Sequence, residues 1–373
     1  LMNEASTNSE TYNVAVGYAA GTAVTTGIKN TLIGAHAGDS LTLGSENVAI
    51  GYGALNTEDG NGKNVAIGYL ALENQNAGAD AYNVAVGYDA GKSVTTGTVN
   101  VLIGGLAGDA LTTGYSNVAI GHAALTGEDT GRKNVAVGYR ALYVQNNDAD
   151  NYNVAVGYDA GLSVTTGVQN TLIGSLAGDA LTSGSDNVAV GYHALSAEDG
   201  NGGNVAIGKF ALLLQNAGAD AYNVVVGFEA GKTISTGTTN TIMGAFAGDA
   251  LTTGSNNVAI GYQALSTEDA HGRNVAIGKS TLQAQDAGTD AYNIAVGYNA
   301  GYSVTTGVQN VLIGGLTGDA LTTGSSNVAI GYNSLSVEDA HGRNVAIGSN
   351  TLSSLDAGAD AYNVAVGYNA GVA

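Results

Sequence analysis

The residues able to do chemistry in this 373-residue chain are carboxylates, five histidines, tyrosines and threonine pairs, and the question is whether any of them recur at a workable spacing. Gly87-Tyr88-Asp89-Ala90-Gly91-Lys92-Ser93 and Gly227-Phe228-Glu229-Ala230-Gly231-Lys232-Thr233 imitate a phosphate loop, but three residues separate the glycines where the motif needs four. Equivalent positions read Gly161-Leu162-Ser163 and Gly301-Tyr302-Ser303, so the lysine is incidental. His36, His122 and His193 fall at different registers, and His271 and His341 sit one long repeat apart, which at strand spacing is ~19 Å and too far to share one metal. No catalytic or cofactor-binding residue is nominated, and the chain reads as a non-enzyme.

The carboxylates are more regular. Asp39, Asp109, Asp179, Asp249 and Asp319 share one register, and Glu58-Asp59, Glu128-Asp129, Glu198-Asp199, Glu268-Asp269 and Glu338-Asp339 share another. Glu58, Asp59 and Asn61 offer oxygen ligands of the kind calcium takes. The pattern decays to Glu128-Asp129-Thr130-Gly131 and Glu268-Asp269-Ala270-His271, so a solvated turn is the main reading and calcium the alternative. Threonine pairs such as Thr95-Thr96 and Thr112-Thr113 suggest an ice-binding face, yet Asp59, Asn76, Asp129 and Asn146 interrupt the column, and strand-forming residues at a turn account for them. Tyrosines recur at Tyr18, Tyr52, Tyr69 and Tyr88, and again at Tyr82, Tyr152 and Tyr222. They cover coil corners with the hydroxyl in water, or bind a glycan or protein receptor.

These registers come from an internal repeat, the feature that decides the architecture. Asn-Val-Ala-Ile/Val-Gly-Tyr recurs 21 times, opening at Asn13, Asn30, Asn47, Asn64, Asn83, Asn100, Asn117 and Asn134 in the first eight copies. Spacings of 17, 17, 17 and 19 build a super-repeat of 70 residues. A unit this short cannot bury its own apolar face, so the units must stack as an all-β parallel solenoid, a single repeat domain over 13–373 after a lead-in over 1–12. Twenty intervals of ~4.8 Å predict a rod of ~95 Å. Each coil is expected to hold two short strands. The head asparagines should form a ladder up the stack, and the glycine four places later (Gly17, Gly34, Gly51) should adopt positive φ or allow close backbone approach.

Both faces of a strand such as Val48-Ala49-Ile50 are apolar, which implies burial on both sides. The expectation is that Val and Ile fill the coil's own core while Ala and the bulkier Leu32, Leu102, Leu172, Ile242 and Leu312 contact another subunit. That predicts a parallel homo-oligomer, most simply a trimer. Composition (58 Gly, no Cys, no Pro, formal charge −20) suits a secreted, well-solvated repeat protein and opposes nucleic-acid binding, which needs a basic surface. No apolar run approaches the ~20 residues of a membrane span. Starting at Leu1 and stopping at Ala373 in mid-pattern, the chain reads as part of a longer one.

The run Asn257-Val258-Ala259-Ile260-Gly261-Tyr262-Gln263-Ala264-Leu265, preceded by Thr252-Thr253-Gly254, resembles the repeats of phage-type tail-fibre proteins that end in a self-cleaving chaperone domain. Its core is similar to the head repeat of YadA-like trimeric autotransporter adhesins. This resemblance implies a left-handed parallel β-roll of three chains, located outside the cell on a virion or a bacterial surface and serving as a shaft that presents a distal attachment tip. The coils are longer than those of the adhesin head, and no coiled-coil stalk, membrane anchor or chaperone domain is visible, so the tail fibre is the preferred owner.

Overall fold

The computed structural model describes residues 10–372, so most of the expected lead-in lies outside the described residues. The fold is an all-β parallel solenoid with 21 strands, one per coil, and no helix among the described residues. The chain divides into two compact units, one ending at Asp186 and the other beginning at Asn187. The first holds strands β1 (Val14–Val16) to β10 (Thr171–Ile173), the second β11 (Val188–Val190) to β21 (Val364–Val366). Within each unit successive strands pair in parallel and in register. Val48, Ala49 and Ile50 face Val65, Ala66 and Ile67, which in turn face Val84, Ala85 and Val86 across the 19-residue coil.

Each coil has one strand of three residues, not two. Past the strand the backbone enters the left-handed region twice in quick succession, at Gly53 (φ 62°) and Leu55 (φ 53°) in the third coil. That winds the far side of the coil into turns, which still bond to the next coil through Leu55 N–H to Ala71 O and Thr57 N–H to Glu73 O, both 3.0 Å. The glycine that closes each strand meets both expectations. Gly104 has φ +135°, and a Cβ there would lie 2.4 Å from the carbonyl oxygen of Gly121 in the next coil.

The strand faces the opposite way from the expectation. Its middle residue points into the coil and its flanking Val and Ile point out: Ala49, Ala66 and Ala85 are fully buried, as are Leu32, Leu102, Leu172, Ile242 and Leu312. Those five are therefore core residues of their own chain and cannot be oligomer contacts. A 17-residue coil encloses so little space that alanine fills it. Where leucine enters, room is made by omission: a Cβ on Gly38 would stand 2.9 Å from Leu32 Cδ2, and one on Gly108 would stand 2.8 Å from Leu102 Cδ2. The super-repeat is thus a volume code, with glycine opposite the large strand residue in the second coil, Leu55 and Leu72 at the same turn position in the third and fourth, and in the first coil a glycine such as Gly91 that makes room for Leu72 and Leu102 of the coils on either side.

The head asparagines clasp each coil shut. Asn100 Nδ2 donates to Gly114 O at the end of its own coil (2.9 Å), and its Oδ1 accepts from Asn117 N–H in the next (3.0 Å). The same two bonds recur at Asn30 and Asn47. The ladder is therefore amide to main chain, and direct amide-to-amide bonds are marginal, as at Asn344 Nδ2 to Asn327 Oδ1 (3.3 Å). In the 19-residue coil the two extra residues displace the closing carbonyl, and Asn64, Asn134 and Asn274 keep a buried Nδ2 without an acceptor. There the buried Gln75 takes over the closure, accepting from Asn83 Nδ2 (2.6 Å) and donating to Thr95 O (3.1 Å).

Gly104→Ala should drive a methyl into the neighbouring main chain and abolish hydrogen-exchange protection in the flanking coils. Gly78→Ala, where φ is +71° and nothing lies within 4 Å of the added carbon, should cost only ~1 kcal/mol of conformational strain. Equal effects of the two would contradict the close-approach account.

Candidate functional site

With the strand's middle residue turned inward, its first and third residues form two parallel columns of Val and Ile on the outside of the sheet. Neighbours up and down the column half-shield each side chain, yet Ile103 remains 37% exposed, Ile313 39% and Met243 43%. In each unit the columns are ~7 Å apart and climb in ~4.8 Å steps over at least ten coils, an apolar strip of several hundred Å², as large as single soluble domains usually expose.

A second column is aromatic and lies just beyond the strand-closing glycine. Tyr52, Tyr69 and Tyr88 stack with centroids 5.4 and 5.3 Å apart and planes 13° and 6° apart. His122, Tyr139 and Tyr158 repeat the triplet one super-repeat on. The column is broken once per super-repeat by a small residue, at Ala35, Gly105, Ser175, Ala245 and Gly315, and again at Lys209, Lys279 and Ser349 in the last three, so that full triplets occur only in the first two. These rings are about half exposed, as are the tyrosines closing the long coils, but of the latter Tyr82, Tyr152, Tyr292 and Tyr362 each bond a Lys or Arg, and Tyr222 lies against Gly203 instead. Lys63 bonds Asp80 (2.7 Å) and the Tyr82 hydroxyl (3.1 Å), Lys133 does the same with Asp150 and Tyr152, and Arg343 with Asp360 and Tyr362.

The paired acids part company. Asp59, Asp199, Asp269 and Asp339 are exposed as a solvated turn requires, but Glu58, Glu128, Glu198, Glu268 and Glu338 are fully buried, which corrects the reading of these pairs as solvated. The cause is register. Glu58 stands eleven residues after its asparagine, the place held by Val24, Leu41 and Gln75 in the other coils, and that place points into the core. Aligning the coils on their asparagines would have exposed this. Each glutamate caps the turn below it: Glu58 Oε1 accepts from Asn61 N–H and Nδ2 (3.0 and 3.1 Å), and Glu128 accepts from Gly131 N–H (2.7 Å) and Asn151 Nδ2 (3.0 Å). Burial outweighs these donors and pushes the Glu58 and Glu198 carboxyls up, and that of Glu128 up to about 7.

The calcium candidates accordingly do not converge as oxygens. Asn61 turns its amide nitrogen to Glu58, and Asp59 reaches solvent. The first threonine of each pair spends its hydroxyl on the main chain of the next coil, Thr95 Oγ1 to Thr112 O (3.2 Å) and Thr112 Oγ1 to Asp129 O (3.0 Å), while the second, Thr96 or Thr113, is exposed in a column that Gly60 and Ala77 interrupt. Lys92 pairs with Asp89 and Lys232 with Glu229, and neither forms a phosphate cradle. Of the histidines, His36 pairs with Asp39, His193 with Ser196, and His271 and His341 each stand beside a buried glutamate. No helix of the described residues is long and apolar enough to cross a membrane.

Comparison of the chain with protein-family models, with curated proteins and with solved structures finds no match to any of them.

The Glu128 carboxyl, at about 7 in the fold against 4.5 ordinarily, makes the folded state hold a proton that the unfolded chain releases. Its contribution to stability therefore falls as pH rises from about 4.5 to about 7 and stays low above that, by at most about 3 kcal/mol. Glu128→Gln should leave stability near pH 4.5 almost unchanged and raise it above pH 7, with Asn151, whose buried Oδ1 has no donor, turning its amide to accept. Melting curves of both proteins across this range check it; parallel pH profiles would refute it.

Proposed function

We propose that the chain is a length of the shaft of an extracellular homo-oligomeric fibre, built from parallel copies of itself, whose task is to hold an attachment tip away from a virion or cell surface. The observation that carries this reading is the outer face of the sheet. A stack of in-register coils needs no exposed aliphatic strip for its own stability, because its core is filled by the alanine, leucine and glutamine side chains turned inward. The strip has a period equal to that of the strand stack, so a second copy aligned with the first meets it at every coil, and closed symmetry about an axis along the stack covers it on every copy. Val and Ile thereby take the interface role first expected of the leucines. The number three comes from the resemblance to tail-fibre and adhesin repeats, and so does the placement outside the cell. Nothing in the buried constellations supports turnover, and the fibre reading needs none.

A second reading is supported by the exposed tyrosine triplets, whose flat rings in rows suit the apolar faces of sugars. The shaft would then bind glycan along its length as well as support a tip.

Sedimentation of the recombinant chain should give the mass of three copies. Ile103→Glu with Ile313→Glu should yield monomers with unchanged circular dichroism, since both side chains lie outside the core. A parent that sediments as a monomer at tens of micromolar would end the proposal. For the second reading, saturable binding on a glycan array should disappear on replacing Tyr52, Tyr69 and Tyr88 together with Tyr139 and Tyr158 by serine.

A further inference from the structure

In the fourth super-repeat the buried glutamate acquires companions that the first three lack. Glu268, Asp269, His271 and Asp286 each bring one ligand atom into a group whose members all lie within 4.8 Å of one another. The first three belong to the coil opened by Asn257 and the last to the coil opened by Asn274, so the group spans two successive turns of the solenoid. Glu268 has no solvent exposure, and its Oε2 makes no hydrogen bond of ordinary geometry, with the Ala287 N–H of the next coil in its neighbourhood; His271 Nδ1 is likewise buried and unpartnered, standing 3.7 Å from Glu268 Oε1. Glu268 Oε1 is otherwise satisfied by His271 N–H (3.2 Å). An imidazole lone pair and three carboxylates, with no Lys or Arg paired to any of them among the described residues, leave an uncompensated negative charge at a partly buried place.

The repeats themselves provide the control. The same four positions read Glu58, Asp59, Asn61 and Asn76 in the first super-repeat and Glu198, Asp199, Asn201 and Asn216 in the third, while the second has Gly131 and Asn146. Histidine and the facing aspartate arrive together, in Glu268-Asp269-His271 with Asp286 and in Glu338-Asp339-His341 with Asp356. Where asparagine precedes them, its amide donates to the glutamate Oε1 at 3.0–3.1 Å, and Oε2 of Glu58 and Glu198 is left without a hydrogen bond as in Glu268. Histidine removes that donor and supplies a metal-ligating nitrogen instead. In the fifth super-repeat only Glu338, Asp339 and His341 fall within reach of one another, and Glu338 Oε2 is already bonded to Ala357 N–H (3.2 Å).

We propose that Glu268, Asp269, His271 and Asp286 bind a divalent first-row transition cation, zinc being the type, which staples two consecutive coils. One nitrogen and three carboxylate oxygens match a tetrahedral zinc set with bonds of ~2.0–2.2 Å. Closing the group to that radius asks for about 1 Å of movement, which falls on the exposed Asp269 and Asp286 while Glu268 and the main chain stay in place. The charge of the cation also removes the mutual repulsion of the three carboxylates, and its binding energy becomes folding energy for this part of the stack. The inference does not depend on the fibre reading.

The full chain carrying His341→Asn, which leaves one complete cluster, should be titrated calorimetrically with zinc chloride and its melting followed with and without the metal. One zinc per chain is expected, with a rise in melting temperature that millimolar calcium or magnesium does not reproduce. Adding His271→Asn and Asp286→Asn rebuilds the pattern of the first and third super-repeats, which fold, and should abolish stoichiometric zinc binding and the thermal rise, since two of the four ligands are gone. Absence of stoichiometric binding, or binding and stabilisation unchanged in the triple variant, would overturn the proposal.

Discussion

The structure depends on closing a coil of 17 residues around almost no interior. With so little apolar area per coil, the main chain itself must be satisfied at every turn, and the buried asparagine does this twice over. It ties the end of its own coil to the beginning and offers an acceptor to the first N–H of the next. An unpaired buried N–H or carbonyl costs ~1–3 kcal/mol, so a solenoid that left two such groups open per coil would not hold together. The strand-closing glycine is the second half of the same constraint. Its missing Cβ lets one coil's backbone lie directly on the next coil's carbonyl, the approach that keeps the asparagine in bonding range.

Once closure is secured, the interior composition follows from volume. Leucine in the strand demands glycine at the turn, alanine leaves room there for leucine or for the leucines of the adjoining coils, and one position per coil cycles through Val or Ile, Leu, Glu and Gln until Leu355 takes the last Gln place. The long coil shows how the system absorbs an error. Two added residues rob its asparagine of the closing carbonyl, and glutamine from the core position restores the link to the next coil. The glutamate in the preceding coil is costlier, because a carboxyl has been placed where the other coils put a hydrocarbon or an amide. Burial makes its energy depend on pH, and in the fourth super-repeat it is also where ligand atoms collect.

Function is read from what the interior does not consume. The first threonine of each pair, four of the long-coil tyrosines and most lysines are engaged by neighbouring coils. The outward aliphatic columns and the stacked tyrosine triplets are not, and both repeat with the stack. A surface with that periodicity suits partners that are themselves periodic: other copies of the chain, or an extended polymer.

The period, the parallel in-register stacking, the glycine geometry and the structural role of the asparagines were all legible in the residues, because a repeat of fixed length forces equivalent positions into equivalent places. Two things were not. Which face of Val48-Ala49-Ile50 turns inward is invisible to a pattern apolar on both sides, and only the direction in which the backbone coils, set by left-handed residues such as Leu55, decides it. That one choice moved the leucines from a supposed interface to the core and put Val and Ile outside. The company kept by Glu268 was hidden for a related reason: Asp286 lies 18 residues further on, and the length of a coil, not the distance along the chain, determines what it meets.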